Sequence, residues 1–277
     1  MTDSKTPPVI ALKGLCKRFG VGDAEHYAID GIDLSIQKGE FIAIMGPSGC
    51  GKTTLLNILG LLDNSIEGDY QLEGKLIQNL SQRKKALIRS RQIGFVFQSF
   101  NLIPRLNVLD NVALPLIYRG MTKLARTKKA SKILHDFHLG EREFYMPNQL
   151  SGGQMQRVAI ARALANEPSI ILADEPTGNL DSHSSHIIME ELSDLHKKGN
   201  TIIMVTHIPN LTTYASRVIT MLDGKIDTDT LKIPENKIAK VETQATKVET
   251  KPQAKPTKKI ALLTARVASS KKSKGSK

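Results

Sequence analysis

The residues best placed to do chemistry lie between Gly46 and Thr53, where GPSGCGKT matches the spacing GxxxxGK[ST] in full. Glycines at this spacing let a backbone wrap closely around phosphate oxygens, with N–H groups pointing inward and a following helix adding the positive end of its dipole. The pattern assigns the β- and γ-phosphates of a nucleotide to Lys52 and a Mg²⁺-directed hydroxyl to Thr53. Most phosphate hydrogen bonds fall to the backbone of Gly49, Cys50 and Gly51. Gly46, Pro47, Ser48 and Thr54 complete the expected binding loop. Cys50 is expected to act through its backbone N–H, with a reactive thiol near a helix N-terminus as the minor alternative.

A pair of acids closes the run SIILADE. Asp174 and Glu175 thus stand at the C-terminal end of a buried strand, where an open α/β sheet keeps its site. Asp174 is expected in the Mg²⁺ shell, and Glu175 as the carboxylate that polarises a water for in-line attack on the γ-phosphate. Alone, two such acids also read as a helix N-cap. The phosphate loop upstream weighs against that.

These groups need a scaffold. VIALKGL, YAIDGIDLSI and EFIAIM read as strands, the last running straight into Gly46. TTLLNILGLLD has helical spacing, and EGDYQLEGKLI reads as a hairpin. The stretch from about 82 to 150 mixes charged and apolar residues at helical period and is expected to be a helical insertion, broken by Pro104 and Pro115. QMQRVAIARALAN and HSSHIIMEELSDLHKKGN read as helices, the second ending at Gly199, whereas SIILAD and TIIMVTH have the continuous apolar character of buried parallel strands. The β-α-β alternation implies a doubly wound α/β core with a mostly parallel sheet.

Composition narrows the alternatives. Of the net charge of +12, the segment 231–277 supplies most, with 13 Lys/Arg against three Glu, so the first 230 residues are nearly neutral. That segment is expected to be a disordered basic tail, solvated or in non-specific contact with anionic lipid or RNA. It has no aromatic residue, and the whole chain has no Trp, so no specific nucleic-acid recognition by base stacking is expected. Ile260 to Val267 forms a short apolar island in it, to which no function is assigned. Two cysteines, Cys16 and Cys50, make neither a disulfide framework nor a zinc site. No stretch of about 18 apolar residues occurs, so the chain is not expected to cross a membrane by itself. His183, His186 and His196 lack the acids or cysteines of a metal shell and read as a solvated helix face. Asn166 reads as a helix-end residue, and Met155 and Met189 as apolar packing.

Leu150-Ser151-Gly152-Gly153-Gln154 resembles the signature motif of the ABC ATPases, and few other sequences combine it with such a loop. The resemblance covers roughly residues 9 to 226. It implies a P-loop ATPase core over 9–230, a small antiparallel β subdomain and a helical subdomain inserted at about 82–150. It also implies a second copy packed head to tail, so that Ser151, Gly152, Gly153 and Gln154 meet the ATP held by the partner's loop. Gln98 in FVFQSFNLIP is similar to the family's glutamine that reaches Mg²⁺ and the attacking water, and Asn179-Leu180-Asp181 to its D-loop, with Asp181 among the nucleotide-site residues. His207 stands at the switch-histidine position, which contacts the γ-phosphate and the catalytic carboxylate. For the aromatic that stacks on adenine, Phe19 fits and Tyr27 is the rival, because the segment between them is long. QSFNLIPRLNVLDNVALPL and DEPTGNLD resemble the macrolide-export and lipoprotein-release branch. That implies a four-helix permease as partner, export or force transmission as the task, and a cytoplasmic place on the inner face of the membrane; the alternative is a soluble ABC ATPase that acts on nucleic acid or ribosomes through the basic tail.

Overall fold

In chain order the strands and helices are β1 (Ile10–Phe19), β2 (His26–Ile36), β3 (Phe41–Met45), α1 (Lys52–Leu59), β4 (Glu67–Leu72), β5 (Lys75–Leu76), α2 (Gln82–Gln92), β6 (Ile93–Phe97), α3 (Val108–Tyr118), α4 (Lys123–Asp136), α5 (Gly152–Leu164), β7 (Ile170–Asp174), α6 (Ser182–Lys197), β8 (Thr201–Val205), β9 (Arg217–Leu222) and β10 (Lys225–Leu231). This computed structural model describes residues 7–20, 25–65 and 67–232. The basic tail from 233 onward, with its expected disorder, its apolar island and its lipid or RNA contact, lies outside the described residues.

The short apolar runs become the centre of a six-stranded sheet of order β10-β9-β3-β8-β7-β6, parallel except for β10. Every residue of β8 is buried, and all but the last of β3 and β7; only strands covered on both faces can carry such sequences. Successive side chains alternate between faces. Ile42, Ile44, Leu172 and Ile203 join one core with α1 and the small antiparallel sheet β2-β1-β4-β5. Phe41, Ala43, Ala173 and Met204 join a second core with α5 and α6. A third core packs α3 and α4 against α5.

The stretch 82–150 is not helical throughout. Ile93–Phe97 is a strand that pairs in parallel with β7 and forms the edge of the main sheet. Charged helical sequence on its N-terminal side masks a five-residue run too short to announce its own period. Nor does Pro115 break a helix: it sits inside α3. It removes the N–H that would have met the carbonyl four residues back, while its own carbonyl accepts from Asn166 Nδ2 at 3.3 Å. Asn166 is therefore a buried tie between α3 and the end of α2, where it also donates to Ser90 O at 2.7 Å. His196 is half-buried rather than solvated, with Nε2 2.9 Å from Gly39 O and its ring edge-on to Phe41. His183 and His186 are exposed as expected. Leu231, expected in the tail, ends β10 and pairs with Arg217, and just past it Lys232 N donates to Ser216 O.

Tyr70 links the small sheet to the phosphate-loop helix. Its buried hydroxyl donates to Leu59 O, an end carbonyl of α1, at 2.8 Å. Tyr70→Phe should lower the unfolding free energy by about 1–2 kcal/mol by orphaning that carbonyl, read as a lower urea midpoint at unchanged slope. Burial pushes the phenol's pKa far up. The folded state therefore keeps its proton where the unfolded chain loses it, and this contribution to stability falls as pH rises past about 10. The Phe variant should show less of that alkaline loss.

Candidate functional site

Neighbouring strands β3, β8, β7 and β6 end on one edge of the sheet, and each delivers one part of the site. β3 feeds the loop from Gly46 to Gly51, β8 feeds His207, β7 feeds Asp174 and Glu175, and β6 feeds Gln98. Ladder bonds continue past the strand ends, from Thr206 N to Ile44 O at 3.1 Å and from Glu175 N to Val205 O at 3.0 Å. They fix these functional residues in register with each other.

The loop closes on α1 through Gly51, whose φ is 101°. A Cβ there would collide with the Ala28 carbonyl, so the loop is pressed against β2 and only glycine fits. With no side chain capping α1, its first-turn N–H groups stay available to an outside acceptor, the arrangement that binds anions. Lys52 is buried, and its Nζ donates to Gly46 O at 2.8 Å and Pro47 O at 2.7 Å. Cys50 is buried too, its Sγ 3.8 Å from that ammonium. The thiol thus faces inward, against a role as an accessible reactive group.

A cleft of about 550 Å³ opens beside this loop. Ser48, Gly49, Gly51, Lys52, Thr53 and Thr54 line it together with Phe19, Glu175 and His207. Glu175 has a left-handed backbone, φ 44°, a strain of about 1–3 kcal/mol that active sites commonly hold. Its Oε1 lies 2.9 Å from His207 Nδ1. Thr53 Oγ1 donates to Asp174 Oδ1 at 3.5 Å. Burial, and then the charge of Glu175, raise the Asp174 pKa against the opposing pull of Thr53 and Lys52. One hydroxyl beside one carboxylate suits Mg²⁺, which keeps several waters and takes its remaining ligands from phosphate oxygens. Among the described residues no group of three or more His, Cys, Asp or Glu forms a cage of its own.

Of the two rival aromatics, Phe19 lines the cleft, 6.4 Å from the His26 ring and beneath Lys17 Nζ. Tyr27 lies under the Arg18 guanidinium and does not line it. His26 lines the cleft as well and was missed; a lone histidine beside a variable loop carries no sequence signal.

The remaining expected residues are not brought to this cleft within one chain. Ser151 caps α5 in a reciprocal box with Gln154, at 3.3 and 3.0 Å. Gly152 and Gly153 pack against Leu180 and Ser184. Asp181 caps α6, accepting from Ser184 N and Oγ, each at 2.8 Å, and these bonds hold its pKa down. Gln98 also stays outside the cleft lining. Another residue the sequence did not flag is Gln156, buried in α5 and donating to Pro176 O at 2.7 Å, which pins the turn after Glu175 to the Ser151 helix.

Residues 29–178 match the family model described as ABC transporter. The chain is 51% identical over 218 residues to the ABC transporter ATP-binding protein MJ1508 of Methanocaldococcus jannaschii, covering 79% of this chain and 97% of that one. It is 50% identical over 224 residues to the macrolide export ATP-binding/permease protein MacB of Chlorobaculum tepidum, covering 81% of this chain but 34% of that longer protein. Among solved structures, the dimeric post-hydrolysis ATP-binding cassette MJ0796, bound to ADP and phosphate, superposes with a TM-score of 0.75 at 43% identity, covering 81% of this chain and 99% of that one.

The two loop glycines separate strain from collision. Gly49 has φ 82° with open space where a Cβ would stand, so Gly49→Ala should cost about 1–2 kcal/mol, the ordinary left-handed penalty. Gly51→Ala adds the clash with the Ala28 carbonyl and should cost clearly more in urea unfolding. Equal losses would contradict the packing of the loop on β2.

Proposed function

This chain belongs to the ABC transporter family and is an ATPase that works with ATP and Mg²⁺, and from that premise we propose that two copies pack head to tail and drive a separate membrane permease. The observation that carries the head-to-tail reading is the division of the site. Glu175, His207 and the phosphate loop share one cleft, while Ser151, Gly152 and Gly153 sit at the N-terminus of α5, outside it. That second helix end, with its glycines, is suited to a γ-phosphate, and a second copy supplies one where its own chain does not.

In the proposed reaction the phosphate loop and Lys52 hold the triphosphate, Phe19 stacks on adenine, and Thr53 and Asp174 hold the metal. Bound there, Mg²⁺ would neutralise charge on the β- and γ-phosphate oxygens. Glu175 accepts a proton from water as the water oxygen attacks the γ-phosphorus, and the bond from that phosphorus to the bridging oxygen breaks to leave ADP and phosphate. His207, bonded to Glu175 Oε1, holds the carboxylate in line and contacts the γ-phosphate. Gln98 reaches the metal and the water once the two copies have closed.

A groove of about 1150 Å³ between α2, β6, α3 and α5 supports the permease partner. Leu87 and Tyr118 leave apolar surface exposed there, 48% and 75%, and Arg83 and Lys84 add positive charge. Exposed apolar patches rimmed by charge mark protein interaction sites. The likeness to a longer protein that carries both ATPase and permease supports the same assignment. No helix among the described residues is long and apolar enough to cross a membrane. Transport, by export or by force on the permease, is the work proposed for the pair.

Glu175→Gln should reduce kcat at least about a hundredfold, the scale of a lost general base, while ATP still binds and ATP-dependent dimers accumulate in light scattering. Hydrolysis at the normal rate would remove Glu175 from the role of base. Leu87→Asp should abolish co-purification of the permease from detergent-solubilised membranes; undiminished recovery would rule out the groove as its seat.

A further inference from the structure

Gln98 follows β6 directly, and the last pair of that strand sets Phe97 beside Asp174. The glutamine is therefore level with Glu175, one strand away from the reacting centre. Its side chain nevertheless turns toward the segment after Glu175. Nε2 donates to Asn179 Oδ1 at 3.4 Å, and Asn179 Nδ2 donates back to Gln98 O at 3.1 Å. Beneath the pair lies Gly178, where a Cβ would stand 2.6 Å from Nε2 and 3.0 Å from the amide carbon. The absence of a side chain at 178 is what lets the glutamine lie down.

Both ends of this contact are held in position. Phe100 and Asn101 carry left-handed backbones, φ 60° and 50°, and the Arg162 guanidinium grips both of their carbonyls. Consecutive left-handed residues of this kind persist only where their surroundings over-determine them. On the other side, Gly178 N donates to Glu175 O at 3.0 Å, Gln156 pins Pro176, and Leu180 packs on Gly152. Asn179 thus stands between the glutamine and the helix that carries Ser151.

We propose that Asn179 is a positioning residue that clasps Gln98 against Gly178, withholding the glutamine from the cleft until residues 176–181 shift. The proposal rests on the reading of Gln98 as the group that reaches metal and water. The amide cannot occupy the clasp and the cleft together, so release of the clasp is part of each turnover. Because the same short segment contacts the Ser151 helix, a second copy docking on that helix would reach Gln98 through Asn179.

The test uses Asn179→Ala, Gln98→Ala and the double variant of the full chain. Asn179→Ala should raise kcat for ATP by between about two- and tenfold, the worth of one net hydrogen bond, with KM unchanged. In the Gln98→Ala background the same substitution should change nothing. Asn179→Asp still accepts from Gln98 Nε2 but cannot donate to its carbonyl, and should fall between. In nucleotide-free protein the side-chain NH₂ resonances of Gln98 should shift in Asn179→Ala. An unshifted pair, an unchanged or lowered kcat, or an equal effect in both backgrounds would overturn the clasp. If Gln98→Ala itself leaves kcat unchanged, the assigned role of Gln98 fails and the clasp falls with it. If Gln98→Ala lowers kcat while Asn179→Ala does nothing, the clasp alone fails.

Discussion

Everything at this site depends on the hydrogen-bonded register of four adjacent parallel strands, β3, β8, β7 and β6. Parallel pairing forces their carboxyl ends onto one edge, and right-handed crossovers send the chain away over the faces between them. A phosphate loop, a histidine, two carboxylates and a glutamine, spread over more than half the chain, consequently arrive within one row. β3, β8 and β7 hold that register buried on both sides; a one-residue slip in any of them would exchange the residues that face the two cores.

The register brings the groups together without completing the site. Lys52 is bonded to carbonyls of its own loop, Gln98 is folded onto Gly178 and Asn179, and the Ser151 helix points its N-terminus elsewhere. Each of these is a satisfied local arrangement. Changing it costs about what one or two hydrogen bonds are worth, an amount that docking of a second copy can supply. In the proposed head-to-tail pair, division of the site would tie hydrolysis to assembly, and the exposed groove beside β6 is the surface proposed for the membrane partner.

Much of this was legible in the sequence because the chemistry is written in contiguous motifs. Gly46 to Thr53 and Asp174-Glu175 each sit at the end of an apolar run, and Phe19 and His207, placed through resemblance, line one cleft with Glu175. What escaped depends on contacts between distant segments. β6 is five residues long and is recognised as a strand only by its pairing with β7. His26 lines the cleft only because β2 folds back on β1. Asp181 and Ser151 read as nucleotide residues from resemblance, while within one chain their visible work is to cap helices. Motif spacing says nothing about whether a residue acts on its own cleft or on a neighbour's.

The central claim is that each working site combines one chain's phosphate loop with the other chain's Ser151 helix. Its most direct measurement is ATPase activity in an equimolar mixture of Lys52→Ala and Ser151→Arg chains, each inactive alone. A mixed head-to-tail pair retains one intact site, so the mixture should recover about a quarter of the wild-type rate if the chains pair at random and the two sites act independently. Failure of the mixture to recover any activity while mixed pairs form, or full activity of Ser151→Arg alone, would contradict the shared site.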